Sequence, residues 1–249
     1  MTAIVSSIVL LLGATRGAVR AVFSNGCAST PSVARRRPFV FLAELVAAIC
    51  LSAIPAAAQD VPNAADAPAA TSEHPATSAM KFLGGGALAL AAHEGGHLLF
   101  DGIFRANPGL KKVSFNGIPF FAITHDRLSP RREFTIDSAG FWVQEATNEV
   151  ILTRRPNLRR ERAPVLKGIV AFNVLASMSY AGAAFATTGP DERDTRGMAD
   201  ALRWKEPYVG ALILAPAILD TVRYFHPDAR WAAWLSRAVK IGGVLLVLR

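Results

Sequence analysis

Four long apolar segments limit what this sequence can fold into: Met80 to Phe104, Val165 to Thr187, Pro207 to Phe225 and Trp231 to Leu248. A helix of about 20 apolar residues crosses the hydrocarbon of a bilayer, and these segments lie near that length. A fifth segment, Phe134 to Thr153, has helical apolar spacing but carries Asp137, Gln144, Glu145, Asn148 and Glu149, so it needs polar partners. Between the first segment and the fifth, "KKVSFNGIPFFAI" alternates around Asn116-Gly117, the signal for a two-residue hairpin turn, and Pro119 confines its strand to an edge. The expected fold class is mainly α, a polytopic transmembrane bundle of about four to five helices with a small β-hairpin after the first helix. Apolar residues make up 51% of the 249, with mean hydropathy +0.29. That is high for a soluble enzyme and low for a pure set of spans.

The N-terminal part reads as processing and linker sequence. Over residues 34 to 60, three arginines (Arg35, Arg36, Arg37) precede an apolar run and then Ala56-Ala57-Ala58, the layout of a secretory signal, with an uncleaved anchor as the alternative. A signal normally opens a chain, so the expected start lies near Val33; an unprocessed product beginning at Met1 would sink that expectation. Residues 59 to 79 are rich in Ala, Pro, Asp, Ser and Thr and lack Lys and Arg, as a flexible linker does. The domain layout expected is therefore an extension with signal or anchor over 1–58, a linker over 59–79 and a membrane-embedded domain over 80–249.

The net charge of +8 sits mainly on arginines between hydrophobic segments, as in membrane-flanking loops. No aromatic-basic interleaving or nucleic-acid motif accompanies it, so nucleic acid is not an expected partner; the lipid bilayer is. Cys27 and Cys50 have no metal-ligand neighbours and imply no disulfide framework. Loop charge puts 59–79 outside, the basic 105–133 inside and the mixed 188–206 outside, so that the first helix and Pro207–Phe225 run the same way. One conflict stands: the basic "RRPNLRRER" of Arg154 to Arg162 belongs inside, yet a spanning 134–153 segment places it outside. These arginines are expected to meet lipid headgroups.

Inside the first apolar segment lies "AAHEGGHLLFDG". In H-E-x-x-H on a helix, positions i and i+4 share a face, so His93 and His97 can reach one Zn2+. Zinc lowers the pKa of a bound water to about 7, and Glu94 is placed to take its proton as general base. Three ionisable side chains in an apolar helix would be costly without such a role. Gly95 and Gly96 cost roughly 1 kcal/mol each relative to Ala, which tight helix contact or close approach of a substrate would justify. Two residues compete as third ligand. Glu149 follows Asn148 like the Asn-Glu pair on the second helix of thermolysin-like zincins. Asp220 is a lone aspartate deep in "LAPAILD". Parallel helices would put His93 and Asp220 at similar depth, with Glu149 roughly 18 Å away, so Asp220 is favoured.

Together these stretches resemble the site-2 protease family of intramembrane metalloproteases. "HEGGH" is similar to the family's H-E-x-G-H; "SAGFWVQEATNEV" resembles its A-G-P-x-x-N, with Phe141 for Pro and Gln144 for Asn. "APAILD" resembles P-x-x-L-D-G, with Thr221 for Gly. The resemblance covers roughly Met80 to Phe225 and suits the hairpin. It implies His93, His97 and Asp220 as zinc ligands, Glu94 as base, and Gln144 as a polar group near the substrate backbone; Asn148 is a further substrate-binding candidate. The expected activity is cleavage of peptide bonds in or near the membrane segments of protein or peptide substrates, from a multi-pass position in a bacterial-type inner membrane. Alternatives are a membrane-anchored zincin with Glu149 as ligand, acting on soluble peptides, and a non-catalytic metal-binding membrane protein. Among lesser candidates, His125 is placed to polarise an oxyanion or pair with Asp126, His226 marks a helix end, and Asn173 is expected to bond a neighbouring helix.

Overall fold

A computed structural model describes residues 74–248 other than 116 and 117. The expected signal or anchor, the linker up to residue 73 and the Asn116-Gly117 turn lie outside the described residues. The described chain is mainly helical with one two-stranded hairpin, in the order α1 (Pro75–Phe104), β1 (Gly109–Phe115), β2 (Ile118–Thr124), α2 (Pro130–Arg154), α3 (Pro164–Ala186), α4 (Asp194–Leu202), α5 (Glu206–Phe225) and α6 (Arg230–Leu248). Four of these helices carry a proline in the first turn, where its missing N–H costs nothing and its φ is already helical. Pro75 is one of them, so α1 begins five residues before Met80 and takes the end of the expected linker into the helix. The hairpin pairs antiparallel, with Gly109 opposite Thr124 and Phe115 opposite Ile118.

Contacts between helices give their directions. A side chain at Gly85 would run into the Val165 carbonyl, and one at Gly168 into the Phe82 carbonyl; further along, His93 meets Tyr180. Thus α1 and α3 run side by side in the same direction, joined by a seam of small residues that lets their backbones touch. α2 runs against α1, since His97 contacts Ile136 while His93 abuts Gly140. α5 starts against the end of α3, with Gly210 packed on Ala181 and Ala184, and so runs back alongside α2. α6 returns, bringing Ser236 and Lys240 to Asp220 and Gly243 to Trp142.

This arrangement corrects the expected topology. α1 and α5 are antiparallel, and α2 crosses the full bundle. The basic 154–162 stretch therefore lies at the opposite end from the hairpin. The 188–206 stretch is no loop on the far side: it contains α4, and Glu192 pairs with Lys111 of β1. Polar residues of α2 are met by neighbouring helices, with Asn173 of α3 donating to the Asn148 side chain and the Gln144 backbone carbonyl. His226 caps α5, as expected. Two helices among the described residues, α3 and α5, are long and apolar enough to cross a membrane, fewer than the four to five expected. In α1 the polar residues around the HEGGH cluster interrupt the apolar run.

Candidate metal centre

The site forms where α1, α2 and α4 meet. Helical spacing brings the two imidazoles of α1 to one face, and their Nε2 atoms lie 3.2 Å apart. Asp194, the first residue of α4, reaches them with Oδ2 at 3.3 Å from His93 Nε2 and 3.5 Å from His97 Nε2. His93, His97 and Asp194 form a possible metal-binding triad. Around a tetrahedral ion with bonds of about 2.0–2.1 Å, ligand atoms stand roughly 3.3–3.4 Å from one another. The three distances here bracket that edge.

Protonation supports the same arrangement. The His97 Nδ1–H donates to the Ile136 carbonyl at 2.8 Å, which leaves its Nε2 lone pair directed at the site in the neutral ring. An imidazole lone pair, a second imidazole and a carboxylate oxygen then converge in a buried space, and such a set calls for a cation. Burial alone would raise the Asp194 carboxyl; with a proton on His97 Nε2 in place of a metal ion, the imidazolium charge and the hydrogen bonds from both rings outweigh that effect and hold it well below the ordinary carboxylate range. His93 Nδ1 is buried without a partner. Glu94 is half-buried and lies within electrostatic reach of His93, His97 and Asp194.

Glycine makes the helix contact possible. A Cβ on Gly96 would sit 2.9 Å from the Ala139 carbonyl oxygen, and one on Gly140 would come within 2.5 Å of the His93 ring nitrogens. The Ala139-Gly140 pair is thus the groove into which the histidine-bearing face of α1 fits. Gly95 faces open space, so only the second glycine of the HEGGH cluster is required by packing.

Neither expected third ligand is at this site. Asp220 accepts from Ser236 at 2.8 Å and from Lys240 at 2.8 and 3.0 Å. Glu149 accepts from Arg223 at 3.1 Å, Arg237 at 2.8 Å and Lys240 at 3.1 Å. Both carboxylates are spent on cations in a buried cluster where α2, α5 and α6 meet. The depth argument that favoured Asp220 assumed parallel α1 and α5. Because the two are antiparallel, a residue late in α5 lies towards the end where α1 begins, away from the metal site. Asp194 takes the place instead. Its sequence signal was an acid opening a helix in "PDERDTRGMADAL", a pattern that also serves ordinary helix-dipole neutralisation.

Gln144 follows Gly140 by one turn, and its amide nitrogen is buried without a partner; Asn148 is tied to Asn173. His125 does not enter the site. It pairs with Glu133 at 3.6 Å and Asp137 at 3.7 Å, fastening the end of β2 to α2. No protein-family model, curated protein or solved structure matches the chain.

Proposed function

We propose that the chain is a membrane-embedded zinc endopeptidase, related in design to the site-2 proteases, that cleaves peptide bonds in or near membrane segments of protein substrates. The observation that carries this reading is the triad of His93, His97 and Asp194 with Glu94 beside it. Two imidazoles and one carboxylate leave a tetrahedral ion one open position, the donor set of a catalytic rather than a closed structural zinc site. The site-2 protease resemblance is supported by the fit of HEGGH against Ala139-Gly140. Its third motif serves the ionic cluster instead, so the ligand set departs from the family pattern.

A zinc ion held there supplies an acidified water and a Lewis acid for the substrate carbonyl. Glu94 takes the proton of the attacking water and passes it to the amine that leaves when the peptide C–N bond breaks. His97 is kept in the ligating tautomer by Ile136. A substrate helix must unwind first, because its carbonyls are already hydrogen-bonded.

The proposed position is multi-pass in a bacterial-type inner membrane; membrane association as such is supported by α3 and α5, whose apolar windows are only 33% and 44% buried within the bundle. The core helix of a soluble protein hides most of such a window. Leu83, Leu88, Leu98, Leu175 and Met178 add to an apolar exterior that suits lipid.

Metal content and cleavage of a membrane-peptide substrate test the reading. Glu94→Gln is expected to retain zinc and lose cleavage, whereas unaltered cleavage argues for a non-catalytic metal site. Asp194→Ala is expected to lose zinc while Asp220→Ala keeps it; the reverse result overturns the ligand assignment.

A further inference from the structure

Resting on the metal-centre reading, we infer that Glu206, the first residue of α5, is a positioning residue for the metal ligand Asp194, which it fixes by binding both of that residue's neighbours in the chain. Asp194 needs such a hold. It opens a helix of nine residues and approaches two histidines that belong to a different element. His93 and His97 stand one turn apart on α1, where helix geometry fixes their relation. His97 is further pinned by the Ile136 carbonyl.

The Glu206 carboxylate is buried and accepts on both oxygens. Arg193 donates from Nε to Oε1 at 2.6 Å and from Nη2 to Oε2 at 2.5 Å, a forked pair that sets orientation as well as distance. Thr195, fully buried, donates its hydroxyl to Oε1 at 2.7 Å. The same guanidinium reaches the Pro190 carbonyl at 2.8 Å, so the chain leading into α4 is held too. Asp194 stands between Arg193 and Thr195, and successive Cα atoms keep a spacing of about 3.8 Å. Tying both neighbours to one carboxylate therefore leaves Asp194 little freedom beyond rotation of its own side chain. One turn on, a side chain at Gly197 would run into the Asp137 carboxylate. α4 thus lies directly on the turn of α2 whose Ile136 carbonyl orients His97. One clamp and one helix contact bring the carboxylate to the two imidazoles.

Co2+ titration of the purified full chain in detergent tests the inference, because a tetrahedral cobalt site absorbs visibly without any need for substrate. Glu206→Ala removes the anchor and is expected to weaken Co2+ binding about tenfold, the lower end for groups outside the ligand set. Thr195→Val keeps the branched shape and removes only the donor, so a smaller loss is expected. Added to Glu206→Ala, it is expected to cost nothing further, because the hydroxyl acts through the carboxylate already removed. Lys240→Met, which breaks buried ion pairs with Glu149 and Asp220, controls for a loosened fold and is expected to keep the parent affinity. Unaltered affinity in either single variant overturns the inference. So does a loss in Lys240→Met as large as that in Glu206→Ala, or a further loss in the Glu206→Ala, Thr195→Val double variant. Should Glu206→Ala not fold, Thr195→Val against the parent decides alone. Failure of the parent chain to bind Co2+ sinks the metal centre itself, a result distinct from these.

Discussion

At the scale of single residues, adjacent glycines carry different loads. Gly95 has free space around it, so Gly95→Ala is expected to stabilise the helix by about 0.5–1 kcal/mol through lost backbone entropy in the unfolded chain. Gly96→Ala drives a methyl against the Ala139 carbonyl and is expected to lower the melting temperature; a scan of both variants side by side checks the contrast. Gly140→Ala pushes on the His93 ring itself, so metal content is expected to fall even where the fold survives. His125 gives a pH signature away from the metal. Its pairing with Asp137 is the chief cause that raises its pKa from the ordinary 6.5 to about 9, against the opposing effect of partial burial. A raised folded-state value means that the pairing stabilises the native chain fully below about pH 6.5 and is lost as pH rises through about 9. Melting temperature followed from pH 6 to pH 10 is expected to fall more steeply in the parent than in His125→Gln; parallel curves would remove His125 from the account.

At the scale of elements, the bundle is fastened by two unlike devices. Small residues close the α1–α3 seam, and charges close the α2–α5–α6 junction. In that junction Lys240 is 2% exposed and serves both Asp220 and Glu149, so Lys240→Met leaves two carboxylates short of a cation. Breaking one side of a buried ion pair costs about 3–5 kcal/mol, whereas removing both sides together is far milder. Denaturation of Lys240→Met is therefore expected at markedly lower temperature, with partial recovery in the Asp220→Asn, Lys240→Met double variant. Zinc content is expected to survive in both. Metal loss in the double variant would tie this cluster to the metal site after all.

At the scale of the whole molecule, Lys111 of the hairpin and Arg159 after α2 lie at opposite ends of the bundle. Glu192, although 81 residues from Lys111, shares its end. Cysteines introduced singly at 111, 159 and 192, in a chain free of Cys27 and Cys50, report this in membranes. Impermeant thiol reagent is expected to label 111 and 192 from one side and 159 from the other. Labelling of 111 and 159 from the same side contradicts a crossing α2. The arginine-rich end, where Arg159 lies over the Phe225 ring and Trp231 and Trp234 stand exposed, has the residues of a membrane–water boundary.

How far the primary structure reaches depends on the range of the interaction. Apolar run length, helix-period spacing and strand alternation around a turn are local, and they made the five long helices, the hairpin and the His93–Glu94–His97 face legible from the residues alone, but not α4, which lies in a stretch that reads as a loop. The need of α2 for polar partners was legible too, because an unpaired polar group in an apolar segment carries its cost wherever it lies. Which carboxylate joins the two histidines depends on helix direction, and loop charge was a poor guide to it: basic residues occur in the loops at both ends of the bundle. Asp194, Asp220 and Glu149 are all acids near or within apolar helices, equivalent to local rules. Only the antiparallel packing of α1 and α5, set by glycine seams and a buried ionic junction between residues far apart in the chain, gives one of them to the imidazoles and the other two to Arg223, Arg237 and Lys240.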